Sequence, residues 1–233
     1  MTHFLSTLSS VSFFGRPYGE LLKCFGLDES ELIGKSVLEC PAGPSSFVAE
    51  ANQRGIRAIG IDPLFYRNPE AIATLAYSDF RSMFERVRRA KQRFSTRTYA
   101  SVEEAEATRL EGLQRFVRDY RRNYGTGCYR VGSLPKLDFD DRSFDAVLCA
   151  HFLFIYSDQF DRGFHLDAMR ELCRVAREQV RIHPIVDATN GPYPHLDDLL
   201  ELVDQLGFDS CIHEVDHEFF KGTNRTLTLR RRA

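Results

Sequence analysis

From residue 36 onward, short apolar runs alternate with stretches whose apolar side chains recur every three or four positions. That alternation admits few folds. Continuous apolar strands separated by amphipathic helices build a parallel sheet covered on both faces. Candidate strands lie at 36–40, 57–62, 131–134, 144–151 and 180–186, and two β-branched runs at 208–215 and 224–231 read as a closing hairpin. The spacing predicts a helix from a Ser46 cap through Gln53, stopped by Gly55. A second follows Leu166, Met169, Leu172, Cys173 and Ala176, and a third follows Leu196, Leu199, Leu200, Val203 and Leu206, with Gly207 as its stop. The expected fold is α/β: doubly wound, with a mainly parallel seven-stranded sheet.

One segment breaks the rhythm. About 70 residues separate Asp62 from Gly132, where a βαβ crossover needs about 30. Asn68-Pro69-Glu70 and Ser101-Val102-Glu103-Glu104 are helix starts, the second of capping-box form. Residues 65–130 therefore read as a helical insertion after the second strand, and from Phe65 to Gly125 it carries 13 Lys and Arg against 8 Asp and Glu. It is expected to belong to one domain spanning 1–233 rather than to form its own. Residues 1–30 read as an N-terminal helical segment, with Tyr18, Leu21, Leu22 and Phe25 on one face and Gly26 as its stop.

Composition narrows the classes. With 43% hydrophobic residues, the chain can bury a core without a metal or disulfide staple. Its 31 basic and 33 acidic residues nearly cancel, against a general nucleic-acid coat. No apolar run is long enough for a membrane span, and the first twenty residues lack the basic and apolar blocks of a signal peptide. The six cysteines form no Cys-x-x-Cys pair and read as reduced residues of a cytoplasmic protein. The run from His213 to His217 offers metal-ligand types but reads as a solvated sheet edge, so no metal is expected.

Residues 37–47, VLECPAGPSSF, describe a strand that ends in an acid, a tight turn with Gly43, and a helix start. Such a turn lets backbone approach a ligand, and a helix N-terminus offers free N–H groups. Twenty-three residues after Glu39, the second strand ends in Asp62, placed to accept hydrogen bonds from ribose hydroxyls. These features fit a dinucleotide or an adenosyl cofactor equally.

The stretch VGSLPKLDFDDRSFDAVLCAHFLF resembles the class I S-adenosylmethionine-dependent methyltransferases. Leu134-Pro135, Phe139, Asp140-Asp141, Ser143-Phe144-Asp145 and Ala146-Val147-Leu148 fill the places of that family's pattern. VLECPAGPSSF is similar to its glycine-rich first turn, and Gly60-Ile61-Asp62 to the end of its second strand. The resemblance spans about 30–231 apart from the insertion. It departs at Pro41 and Ser45, where the family carries glycines, and at Ser133, where an acid commonly meets the adenine.

The resemblance implies a Rossmann-like methyltransferase fold with S-adenosylmethionine as cofactor. Glu39 would receive the ammonium group, Pro41, Ala42, Gly43 and Ser45 would flank the methionine part, and Asp62 would take the ribose. Pro63 would lie on the adenine face, Ser133 and Leu134 at its edge, and Ala150 at the end of the fourth strand. His151, next to it, is the candidate general base or substrate contact, with a structural histidine as the alternative. Arg16-Pro17-Tyr18 is placed to close over the cofactor carboxylate, and Tyr18 fits a core role as well. Tyr156, Asp158 and Asp161 are candidates for a substrate entrance. The fourth strand ends in Ala150-His151-Phe152-Leu153, without the motif of the nucleic-acid amine methylases, so a small-molecule acceptor is expected and a nucleic acid is not. An RNA-directed enzyme and an inactive binding protein with the same fold are the alternatives.

Overall fold

A computed structural model describes residues 11–232. In chain order the elements are α1 (Tyr18–Phe25), β1 (Ser36–Glu39), α2 (Phe47–Gln53), β2 (Arg57–Asp62), α3 (Pro69–Arg89), α4 (Val102–Arg122), β3 (Tyr129–Val131), β4 (Phe144–Ala150), α5 (Arg162–Val175), β5 (Ala176–His183), α6 (Leu196–Gln205), β6 (Phe208–Glu214) and β7 (Arg225–Arg231). The seven strands form one sheet in the order β3-β2-β1-β4-β5-β7-β6. All neighbours run parallel except β7, which is antiparallel to both β5 and β6. The chain order reverses between β1 and β4, the switch point where open α/β sheets bind ligands.

Strand side chains alternate between the two faces. Val37, Ala58, Ala146 and Leu148 pack against α1, α2, α3 and α4 on one face. Leu38, Ile61, Val147, Cys149, Val180, Ile182, Leu227 and Leu229 face α5 and α6 on the other. The alternation shows why these runs must be strands: every residue of β4 but Ala150 is buried, as a strand covered on both faces requires.

The helices after β2 start as their sequences direct. Asn68 Oδ1 accepts from Ala71 N, with Pro69 in the first position, and Ser101 Oγ accepts from Glu104 N. Their aromatic residues Phe80, Phe84, Phe116 and Tyr120 turn inward, and Tyr120 donates to the carbonyls of Phe65 and Arg67 at 2.9 and 2.8 Å. Gly26 ends α1 in the left-handed region at φ 57°, with its N–H and that of Leu27 closing onto Lys23 and Leu22.

Several boundaries differ from expectation. The third strand is Tyr129–Val131, not 131–134: the chain turns at Ser133, where Lys136 N donates to the Ser133 carbonyl, and Pro135 has no N–H to extend a ladder. The fifth strand starts at Ala176, directly from α5, and stops at His183 because Pro184 cannot donate. Ser46 precedes α2 without capping it. Its Oγ instead accepts from Tyr18 N at 2.9 Å and donates to Glu50 at 2.6 Å. The N-terminal segment is helical only from Tyr18; residues 11–17 form a strap without regular secondary structure, and 1–10 lie outside the described residues.

Candidate functional site at the carboxyl edge of the sheet

Four parallel strands end on one rim, where the last residues of three of them and the turns that follow surround a cavity of about 520 Å³. β1 delivers Glu39, β2 delivers Asp62, and β4 delivers Ala150 followed by His151. The turn after β1 adds Pro41, Ala42, Gly43 and Ser45, the turn after β2 adds Pro63 and Leu64, and the turn after β3 adds Ser133 and Leu134. The structure thus brings together every nominated cofactor and acceptor residue except Tyr18, whereas of the entrance candidates Tyr156 lines the cavity and Asp158 and Asp161 do not. Tyr18 is not at the cavity: it is buried, stacked on Phe47 with ring centroids 5.5 Å apart and covered by the Arg54 guanidinium at 4.7 Å. Its place on the inner face of α1 turns it towards α2.

The two acids differ in how they are satisfied. Asp62 accepts from Gly43 N through Oδ2 at 3.1 Å and from Leu64 N through Oδ1 at 2.9 Å. Burial outweighs these two bonds and raises its carboxyl to about 6. Glu39 is 2% exposed and its Oε2 has no hydrogen-bond partner. Burial pushes it up to about 8, against the smaller opposing pulls of Ser45 and Arg16. A half-satisfied acid in a cavity is a receptor for a donor. Gly43 adopts φ 54°, and a Cβ there would meet nothing within 4 Å, so the turn leaves free space beside its backbone.

Of the opposite walls the sequence pointed to Arg16 alone. The strap supplies Val11 to Arg16, α3 supplies Met83 and Val87, α4 supplies Arg109, and the β6–β7 connection supplies Phe219, Phe220 and Thr223. The strap is pinned at both ends. Phe13 N donates to Asp79 at 3.0 Å and Ser12 N to Tyr156 Oη at 3.0 Å, while Ser46 N donates to the Arg16 carbonyl at 3.1 Å. Gly15 lies so close to the turn that a Cβ would sit 2.1 Å from the Pro44 carbonyl oxygen. The Gly15-Arg16-Pro17 cluster was a signal for such an approach.

Behind the strap, Glu20 of α1 takes both prongs of Arg109, with Nε at 2.9 Å, and the hydroxyl of Tyr99 at 2.5 Å. The carboxyl is held down at about 2 by Arg109, His217 and Arg16 in spite of its burial. Arg109 Nη1 and Arg16 Nε have no hydrogen-bond partner, so two guanidinium groups bring unused N–H donors to the cavity lining. His151 stands at φ 51°, its N–H donating to the His183 carbonyl at 2.5 Å. Burial, then the neighbouring Arg16, holds its imidazole well below its ordinary range, so it is neutral at pH 7. Tyr156 also lines the cavity, whereas Asp161 caps α5 by accepting from Phe164 N.

Strand order, switch point and ligand-edge cavity together define the fold of the class I S-adenosylmethionine-dependent methyltransferases. The fold matches that of 1,6-didemethyltoxoflavin-N1-methyltransferase from Burkholderia thailandensis, crystallised with bound 1,6-didemethyltoxoflavin and S-adenosylhomocysteine. The TM-score is 0.51 and the identity 14%, over 93% of this chain and 80% of that one. Magnesium protoporphyrin IX methyltransferase from Synechocystis, solved with S-adenosylmethionine, gives a TM-score of 0.49 at 13% identity, over 88% and 73%. No family model matches the chain. It belongs to the family of the protein from Methanocaldococcus jannaschii named "Uncharacterized protein MJ0045", being 30% identical over 225 residues, 96% of this chain and 98% of that one.

Proposed function

We propose that this protein binds S-adenosylmethionine in the cavity and transfers its methyl group to a small anionic acceptor. The observation that carries the reading is the combination of Glu39, with an unpartnered oxygen, at the end of β1 and Asp62 at the end of the adjacent β2, beside the switch point between β1 and β4. An unpartnered buried acid fits an ammonium group. Asp62 has a second lone pair on each oxygen for two ribose hydroxyls, beyond the backbone bonds it already accepts. Pro63 and Leu64 offer an apolar face for the adenine, and Ser133 and Leu134 its edge. Ala42 and Gly43 leave backbone room for the methionine part.

The cofactor supplies an electrophilic methyl on a sulfonium. The chain's own residues have to hold the acceptor in line, exclude water and manage one proton. An acceptor lone pair forms the new bond to carbon as the carbon–sulfur bond breaks; any proton the acceptor carries must leave it. His151 at the end of β4, neutral at pH 7, contacts the acceptor or takes that proton. Arg16 and Arg109 draw a carboxylate or phosphate on the acceptor towards the lining. The phenyl rings of Phe13, Phe14, Phe152 and Phe219 exclude water around it.

A small acceptor suits the wall better than RNA. Among the described residues, Arg88 pairs with Glu106, Arg115 with Glu50 and Glu111, and Arg121 with Glu70, so part of the basic face of α3 and α4 is offset within the molecule. Most aromatic residues of the insertion, which base stacking would need, are in the core, with Tyr66 and Tyr124 the exposed exceptions. The test is titration calorimetry with S-adenosylmethionine and S-adenosylhomocysteine. Both are expected to bind, and Asp62→Ala is expected to weaken binding about tenfold or more, the loss of two charge-assisted bonds. Absence of heat and of any thermal shift with either ligand at millimolar concentration would overturn the reading.

A further inference from the structure

We propose that Cys24, His151, His183 and His217 together hold one divalent transition-metal ion of the zinc class. One ligand atom from each of the four lies within 4.8 Å of all the others. Four elements meet there: α1, the turn after β4, the last residue of β5, and the β6–β7 connection. For bond lengths of about 2.0 Å to nitrogen and 2.3 Å to sulfur, tetrahedral ligand atoms stand about 3.3–3.6 Å apart. Small rotations of the side chains close that difference.

Three ring nitrogens have no hydrogen-bond partner, and among them only His217 Nε2 has a carboxylate within ion-pair distance, Glu20 Oε1 at 3.5 Å. His183 Nε2, His217 Nε2 and His151 Nδ1 are all buried without a hydrogen-bond partner. His183 is 1% exposed and His217 0%. A buried polar atom left unsatisfied destabilises a fold, and three such atoms from residues clustered in one small space point to a shared ligand. The surrounding bonds set the tautomer that a metal needs. Thr226 Oγ1 donates to the Cys24 carbonyl at 2.6 Å, so at 2.8 Å it accepts from His183 Nδ1–H, which leaves the lone pair on Nε2. His217 Nδ1 lies 3.4 Å from Thr98 Oγ1, which likewise turns Nε2 inward.

The chemistry of the set selects the ion. Three imidazoles and one thiolate suit zinc, or cobalt in its place, and exclude magnesium and calcium, which need oxygen ligands. Binding breaks the Cys24 S–H bond, forms the sulfur–metal bond and releases that proton to solvent. Glu20 Oε1, 3.5 Å from His217 Nε2, adds a compensating negative charge; Arg16 and Arg109 oppose it from the cavity side. His213, which the sequence grouped with His217, is not part of the set: its Nε2 meets Thr228 Oγ1 at 3.0 Å. Nor is His217 on a solvated edge, since it is fully buried. With Nδ1 on the ion, the ring of His151 has its other nitrogen left as an N–H donor, so in the loaded protein it orients the acceptor rather than removing its proton. This last role rests on the methyl-transfer reading; the ion itself does not.

The test uses the full chain without a histidine tag, stripped with a chelator and then exposed to zinc or cobalt in the absence of any nucleoside. Plasma mass spectrometry after desalting is expected to find about one zinc per chain, with a raised unfolding temperature. Cobalt is expected to give the visible bands of a tetrahedral site and a near-ultraviolet sulfur-to-cobalt band. Cys24→Ala, a small change in a buried thiol, is expected to remove the sulfur band, and His183→Ala to reduce retained zinc about tenfold or more. His213→Ala serves as the folded control and keeps both signals. Retention below about a tenth of an equivalent by the folded wild type overturns the proposal. So does cobalt binding without a sulfur band that Cys24→Ala leaves unchanged. Failure of S-adenosylmethionine to bind leaves these readouts untouched, so the two proposals fail separately.

Discussion

At the scale of single residues, Glu39 is the most informative. Its carboxyl is raised to about 8 by burial, so in the ligand-free protein it carries a proton at pH 7. An ammonium beside it would favour the charged form and expel that proton. Calorimetry at pH 7 in two buffers of different ionisation enthalpy is expected to show release of about one proton per cofactor bound. The same shift sets a pH dependence of stability. A carboxyl whose folded value lies above its unfolded value binds more protons when folded, so its contribution is complete below about pH 4.5 and is lost as pH rises through about 8. Asp62, raised to about 6, adds the same sign over a narrower window. Urea denaturation across pH 5 to 9 should therefore show falling stability, and Glu39→Gln should flatten the fall; an unchanged slope in the variant would refute the assignment. Glu39, Gly43 and Asp62 were readable in advance because each closes a strand or forms the turn after one. Arg109 was not, because no periodicity links a distant helix to a sheet edge.

At the scale of elements, the strap and α4 decide how the cavity is walled. Gly15→Ala forces a methyl group into the Pro44 carbonyl; an overpacked contact of this kind costs about 1–3 kcal/mol, to be read from urea unfolding. Cofactor affinity should fall with it, since the strap packs on the turn that contains Gly43. Arg109→Met leaves the Glu20 carboxylate buried without its bidentate partner, and breaking such a pair costs about 3–5 kcal/mol. Adding Glu20→Gln should recover part of that loss, and a double variant no more stable than the single one would argue against the pair as the cause. Helix starts at Asn68 and Ser101 were plain from their caps. The helix preceding β5 was predicted one residue too long, because the chain passes from Val175 into Ala176 with no intervening turn residue. Ser46 misled for a related reason: a side chain suited to cap its own helix was taken instead by the backbone of Tyr18.

At the scale of the whole molecule, seven strands could be counted from the sequence, and their pairing as a closing hairpin was legible as well. Which of the two hairpin strands lies inside was not, because β-branched runs of equal length carry no label for seat. The structure puts β7 inside, between β5 and β6, and leaves β6 at the border with Asp209, Ser210 and Glu214 exposed along it. Polar residues there discourage further pairing. Without residues 225–231, however, β5 would offer a bare ladder of N–H and C=O groups flanked by Val180 and Ile182, and β6 would have nothing to hold. A chain stopped at 224 is expected to join edge to edge with its own copies, visible as growing light scattering during refolding. Resistance to aggregation thus rests on the same seven residues that supply Thr226 to hold the ring of His183.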